Sequence, residues 1–522
     1  MIFNEKIKLN IDIKKIIGEN GIFAFITTFI TGIITHYYLY ANNVLAPDAI
    51  ATGNYKIAGS WEFSLGRWGI SFFDKLRGGL VNEFLIIVIC LIFLGISAIL
   101  ICKIFNINKK IYIALISILL AVAPQFSETF LFIYCADSYC FAMLSAVLAV
   151  YFFKTKMNKN VNYIFSMLSI IVSLSLYQAY IAITVSLLII YAIMDLFSKR
   201  NWKDVLKYLI IEMLIVLLGM ILYFLITKII LQSLGLAFAS YKGANQMGIK
   251  SIIINLPETF KSTYQSFFEY YFKDNILYNT YWHRDIINIF LFVTIFIYMI
   301  YIAIKNEIYK EWQSAVIILL LLLVLPIGIN LINIIMPATR INIVTGPALI
   351  LMYVFIIVMI SKNEIINLYD QIYPIIIVPL TTILLWTFIC SDNATYFSRD
   401  EVFKNYYTIS MNILEKVHNL EGYNKDMKWM FSDNIRYTSK FAPMANGTIS
   451  NDYETWNIMD GIWMNIPFYA RYLGTNINMC NKEEYYKIIR TEEFKEMEEY
   501  PNKGCVKIID GIVVIKITAN TY

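Results

Sequence analysis

Apolar residues in this chain gather into long runs separated by short polar breaks. A helix rises 1.5 Å per residue, so crossing about 30 Å of hydrocarbon takes roughly 20 residues. Runs at 21–40, 84–104, 111–126, 138–153, 161–176, 179–197, 207–228, 285–304, 314–333, 341–360 and 372–390 therefore predict eleven membrane-spanning helices. The fifth and sixth form one continuous apolar stretch, split here at Tyr177-Gln178 because a single helix that long would overshoot the bilayer. The third and fourth are short, are separated by Pro124-Gln125-Phe126-Ser127-Glu128, and leave Asp137 as a candidate N-cap. Beyond Ser391 the pattern changes: charge density rises and the periods shorten. Residues 400–418 and 482–499 read as helices and Lys428–Phe431 as a strand, while 505–509 and 512–517 flank Asp510-Gly511, a hairpin signal. The expected fold is mainly α, a polytopic membrane protein with about eleven transmembrane helices and a small extracytoplasmic α+β C-terminal domain. Its divisions are an inner N-terminus 1–20, a transmembrane catalytic domain 21–390 and the outer domain 391–522.

Composition sharpens this. The chain is 58% hydrophobic and 16% charged, against about 25% charged in a typical soluble domain, which excludes a single soluble domain and a disordered chain. The net charge of +5 is spread over many short segments, so no concentrated basic face suggests a nucleic-acid partner. The placement of positive charge orients the chain. With the N-terminus inside, six short inner segments carry 17 Lys and Arg, whereas the short outer connections around 124–137, 177–178 and 334–340 hold only Arg340. Eleven crossings then put the C-terminus outside the cytoplasmic membrane. The long connections, 41–83, 229–284 and 391–522, all fall on the outer side. A nucleotide-sugar domain needs roughly 100 residues, and no inner segment offers that room. No phosphate-binding glycine motif stands at a strand–helix junction either, so the chemistry is expected at the outer face.

Candidate chemistry gathers at that boundary. Asp48, Glu62, Glu128 and Asp137 sit near the outer ends of spans, and Arg67, Lys75, Arg77 and Arg340 supply cations there. An arginine at headgroup depth suits a lipid phosphate, which it binds through two parallel hydrogen bonds. Of seven cysteines, Cys480 and Cys505 lie well outside the membrane, where a disulfide and two inert thiols are both open readings. The three histidines are too scattered for a zinc site or a Ser-His-Asp hydrolase, and His36 and His283 read as interfacial polar residues. No dense carboxylate cluster demands a metal.

Asp48, then Gly66-Arg67-Trp68, then Asp74-Lys75-Leu76-Arg77-Gly78-Gly79 resembles the opening of the bacterial glucosyl transferase Gtr family. Ala136-Asp137-Ser138-Tyr139 is similar to that family's D-A-D-x-Y segment, with Cys135 in place of the first Asp, and Tyr177-Gln178-Ala179-Tyr180 to its Y-Q-A-Y segment. The resemblance implies a GT-C type fold, a polyprenyl-phosphate sugar as donor and a cell-surface polysaccharide as acceptor. In that reading Asp48, with Asp137 second, is the base that deprotonates the acceptor hydroxyl. Arg67 and Arg340 stabilise the departing phosphate, and Trp61, Glu62, Tyr177 and Gln178 contact substrate. A transporter or flippase of lipid-linked glycans is the main competing class. It explains the spans but not the long outer segments, and the chain lacks the internal repeats many transporters are built from.

Overall fold

A computed structural model describes residues 17–155, 158–241, 249–273, 283–335, 343–362, 368–433 and 464–517. Among them nine helices are long and apolar enough to cross a membrane: Glu83–Ile104, Lys110–Leu131, Ile133–Lys154, Lys159–Leu176, Gln178–Phe197, Trp202–Ser233, His283–Lys305, Trp312–Ile329 and Asp370–His418. Two shorter apolar helices, Glu19–Thr35 and Pro347–Ser361, occupy the first and tenth expected runs. Large apolar side chains on Trp202–Ser233, such as Ile210, Leu214 and Leu217, remain exposed, as a face turned to hydrocarbon would require.

The breaks follow local chemistry. Proline disfavours the helical conformation in the residue before it, and Ala123 is extended (φ −68°, ψ 136°) ahead of Pro124. The connection expected around 124–137 is instead a helix, Pro124–Leu131, buried along its whole length, followed at once by Ile133–Lys154. Asp137 therefore lies inside that second helix rather than at its N-cap, which is Phe132. At the other split, Tyr177 is extended (φ −158°, ψ 117°) and a short 3₁₀ turn, Gln178–Tyr180, starts the next helix.

The division drawn at 390–391 falls within one continuous helix, Leu368–His418. Its prolines, Pro374 and Pro379, stand near its start. No glycine or proline interrupts 380–418, so a rise in charge alone does not end it. Beyond it four strands form a mixed sheet in the order β2-β1-β4-β3, with β1 Lys428–Phe431, β2 Asn478–Met479, β3 Val506–Ile509 and β4 Ile512–Ile515. β1 pairs in parallel with β2 and β4, and β3 and β4 form the expected hairpin. Asp510 and Gly511 both adopt positive φ (50° and 74°) at its two-residue turn, the conformation that Asp-Gly tolerates. The helix expected over 482–499 is two short ones, Lys482–Ile488 and Glu492–Lys495. Cys480 and Cys505 are both free. They flank β2 and β3, the opposite edges of the sheet. Three strand spacings separate those edges by about 14 Å, twice the reach of a disulfide.

Candidate functional site

The segment between the first two apolar helices folds onto the bundle. Lys56 N–H donates to the Gly79 carbonyl and Val81 N–H to that of Asn54, both at 2.8 Å, so residues 54–56 and 79–81 form a small ladder. It closes a loop carrying two short helices, Ser60–Ser64 and Ile70–Leu76. Between these, Gly66 and Gly69 press against the bundle. Gly66 has φ 77°, and a Cβ there would stand 2.4 Å from the Tyr223 hydroxyl; one on Gly69 would stand 2.4 Å from Ser175 Oγ. The contacts are polar as well as close. Gln178 Nε2 donates to the Leu65 carbonyl and to the Tyr223 hydroxyl, each at 2.7 Å, and Tyr223 donates to the Gly66 carbonyl at 2.9 Å. Trp68 Nε1 donates to Thr227 Oγ1 at 3.1 Å, and Gly69 N–H to the Ser175 carbonyl at 2.9 Å.

This framework holds Arg67 in a small pocket of about 50 Å³ whose walls include Lys56, Trp61, Glu62, Asp74 and Tyr139. The guanidinium lies 4.5 Å from the centre of the Tyr177 ring. Tyr177 and Tyr139 stack at 4.3 Å with their planes 5° apart. Arg67 Nη1 donates to the Tyr139 hydroxyl at 3.1 Å, while Nε is buried with no hydrogen-bond partner. Among the described residues no carboxylate pairs with Arg67. It is a half-buried cation resting on aromatic faces, a favourable but weak substitute for a counter-charge.

The opposite arrangement holds beside it. Arg77 Nη2 lies 2.6 Å from Asp74 Oδ1, and its Nε 2.7 Å from Asp137 Oδ2. Nη1 donates to the Leu80 carbonyl at 2.6 Å. Two buried carboxylates thus share one buried cation. Of the two, Asp74 reaches the pocket wall. Its other oxygen accepts from Ala58 N–H at 2.7 Å. Burial pushes its carboxyl up from the ordinary 3.8 to about 6; the Ala58 N–H and Arg77 pull the other way, and Asp137 adds to the rise. Glu62 spans Lys56 at 3.0 Å and the Gly59 N–H at 2.8 Å. Trp61, 53% exposed, packs edge-on against Tyr241 at the pocket's rim.

The sequence candidates therefore divide. Trp61, Glu62 and Arg67 line one pocket, and Tyr177 supports Arg67 from beneath. Asp137 stands behind the pocket, joined to it through Arg77. Gln178 has its amide nitrogen committed to the backbone and to Tyr223, so it positions the Arg67 loop. Asp48 opens the helix Pro47–Thr52 and is not in the pocket lining. Arg340 lies outside the described residues. Asp74 is the site carboxylate that sequence reasoning did not single out; the signal was its spacing of three from Arg77, which puts both on one helix face. His36 is buried rather than interfacial, its ring nitrogens 2.8 Å from the Tyr396 hydroxyl and the Ala121 carbonyl. Among the described residues no group of three His, Cys, Asp or Glu side chains converges as metal ligands.

No curated protein and no solved structure matches the chain. The glucosyl transferase GtrII family matches it over residues 37–361, well over half its length and every residue of the pocket. This chain, with its apolar helices and its pocket held at their ends, is a member of the glucosyl transferase GtrII family.

Proposed function

We propose that this glucosyl transferase moves a hexose, glucose first among them, from a polyprenyl-phosphate donor to a cell-surface polysaccharide or lipid-linked glycan at the outer face of the membrane. The observation that carries the reading is Arg67: a half-buried arginine whose Nε is buried without a hydrogen-bond partner and which has no carboxylate partner among the described residues, facing a pocket beside the apolar bundle. A site of that kind is completed by an anion, and a phosphodiester brings both the anion and, in its lipid chain, a reason to lie at a membrane surface. The eleven-span topology, N-terminus inside and C-terminal unit outside, belongs to the same proposal and rests on the distribution of Lys and Arg.

The chemistry is one displacement. A carboxylate takes the acceptor hydroxyl proton as the oxygen bonds to the anomeric carbon. The bond from that carbon to the phosphate oxygen breaks, and the polyprenyl phosphate leaves with the electron pair, its growing charge met by Arg67. A single displacement inverts the anomeric centre. Asp74 is the carboxylate at the pocket wall, and its raised pKa suits a base working near neutrality. Asp137 then tunes and orients it through Arg77. Asp48 is the competing base, favoured by the family resemblance. The outer face of Trp61 is suited to stack a sugar ring, beside Glu62 as a hydrogen-bond acceptor.

Membranes carrying wild type, Asp48→Asn, Asp74→Asn or Asp137→Asn, incubated with radiolabelled polyprenyl-phosphate glucose and surface polysaccharide, test the assignment. Loss of transfer in Asp74→Asn with retention in Asp48→Asn supports Asp74, and the reverse supports Asp48. Transfer surviving all three sinks the mechanism.

A further inference from the structure

Four helices that frame the Arg67 loop run on to a second pocket at their other ends. Ile133–Lys154 carries Tyr139 near one end and Lys154 at the other, about 22 Å along its axis. Lys159–Leu176, Ile181–Phe197 and Trp202–Ser233 contribute Lys159, Tyr191 with Asp195, and Tyr208 with Glu212. The pocket has a volume of about 220 Å³ and is open on one side. Lys154 Nζ lies 2.5 Å from Glu212 and 4.1 Å from the centre of the Tyr191 ring, and Arg200 lies 2.6 Å from Asp195. Those two pairs cancel. Lys159 is left over: its ammonium stands 3.4 Å from the Tyr208 hydroxyl and 5.1 Å from that ring's centre. Among the described residues no carboxylate pairs with it.

The surroundings are basic on one side and apolar on the other. Lys199, Lys203 and Lys207 flank Arg200 and Tyr208 in sequence, against Asp204, and none of these lysines forms an ion pair among the described residues. From the pocket toward the far end of the bundle, Ile164, Phe165 and Leu168 on one helix and Ile210, Leu214 and Leu217 on its neighbour stay exposed. A ligand matching both features has a phosphate at the pocket and hydrocarbon along the helices.

We infer that this pocket binds the phosphate headgroup of an anionic phospholipid, with Lys159 and Tyr208 as its contacts and the Lys159–Leu176 and Trp202–Ser233 faces as the bed for its acyl chains. The site is separate from the Arg67 pocket and independent of the glycosyl-transfer reading. In detergent, where no extended anionic surface acts on every lysine alike, a cation in direct contact with the phosphate contributes about fivefold in affinity. The purified full-length protein in mild detergent, followed by native mass spectrometry, is titrated with phosphatidylglycerol, with phosphatidylcholine and with inorganic phosphate. Wild type binds phosphatidylglycerol in preference to phosphatidylcholine, and Lys159→Gln lowers that affinity about fivefold while leaving the melting temperature in phosphatidylcholine unchanged. Lys207→Gln, on the same surface but outside the pocket lining, has a smaller effect. Equal losses in the two variants mean non-specific surface attraction and overturn the site. Competition by inorganic phosphate as effective as that of the lipid assigns a soluble anion and overturns the lipid reading.

Discussion

Replacing Arg67 by methionine separates a substrate-binding cation from a structural one. A buried arginine that answers a buried carboxylate is costly to remove, because the carboxylate is left behind; such losses run to about 3–5 kcal/mol. Arg67 answers none. Its interactions are one hydrogen bond to Tyr139 at 3.1 Å and the face of Tyr177 at 4.5 Å, together worth about 1–2 kcal/mol. Removing a half-buried charge with no counter-charge among the described residues offsets much of that, so Arg67→Met is expected to fold with a melting temperature close to wild type. Catalysis should respond differently. A donor aimed at charge that develops in the transition state is worth about 10²–10³ in kcat, and Arg67→Met should lose that much. Arg67→Lys, which keeps the charge without the planar fork, should fall between. The assay is label transfer from polyprenyl-phosphate glucose, with differential scanning fluorimetry on the same preparations. A kcat within tenfold of wild type in a well-folded Arg67→Met would refute the phosphate role. A collapse in melting temperature would show that Arg67 is structural.

Arg77→Met is the converse, since it strands Asp74 and Asp137 together; it should cost about 3–5 kcal/mol and lower the melting temperature sharply, as fluorimetry would reveal. The pH dependence follows from Asp74. Its folded-state pKa lies above its ordinary value, so the folded protein holds this proton more tightly, and ionising it from pH 3.8 through about 6 costs stability. Activity that needs the carboxylate rises over the same window, so kcat/KM should show an acid limb centred near pH 6, and a limb unchanged in residual Asp74→Asn activity would assign it elsewhere. Gly66→Ala, with φ 77° and the Tyr223 hydroxyl 2.4 Å from the new Cβ, should displace Arg67 and reduce transfer; full activity would mean the loop is not pinned. Cys480→Ser and Cys505→Ser should leave stability and non-reducing mobility unaltered, where a mobility shift would reveal a disulfide.

The helical frame was legible because bilayer thickness sets the length of an apolar run, and Tyr177 and Pro124 could be recognised as breaks. What a run cannot convey is how polar residues are buried. Residues 124–137 looked like an exposed connection because Glu128 and Asp137 are charged, yet both are buried by helices distant in sequence. The polar stretch after Ser391 misled in the same way, since helix continuity depends on backbone breakers and none occurs there. At the site, the Gly66-Arg67-Trp68 motif pointed to the cation that lines the pocket. The partnership of Arg77 with Asp137 was invisible because it joins residues 60 positions apart, whereas Asp74 stands only three residues from Arg77. Gln178 read as a sugar contact, but the backbone carbonyl of Leu65, which sequence does not display, occupies it.

The central claim is that Arg67 receives a lipid-linked phosphate. The most direct measurement places the purified protein in lipid nanodiscs with isolated surface polysaccharide and offers labelled polyprenyl-phosphate glucose in one reaction and labelled uridine diphosphate glucose in another. Transfer from the lipid donor alone, lost in Arg67→Met, is the predicted result. Transfer from the nucleotide sugar alone, or lipid-donor transfer indifferent to Arg67, would contradict it.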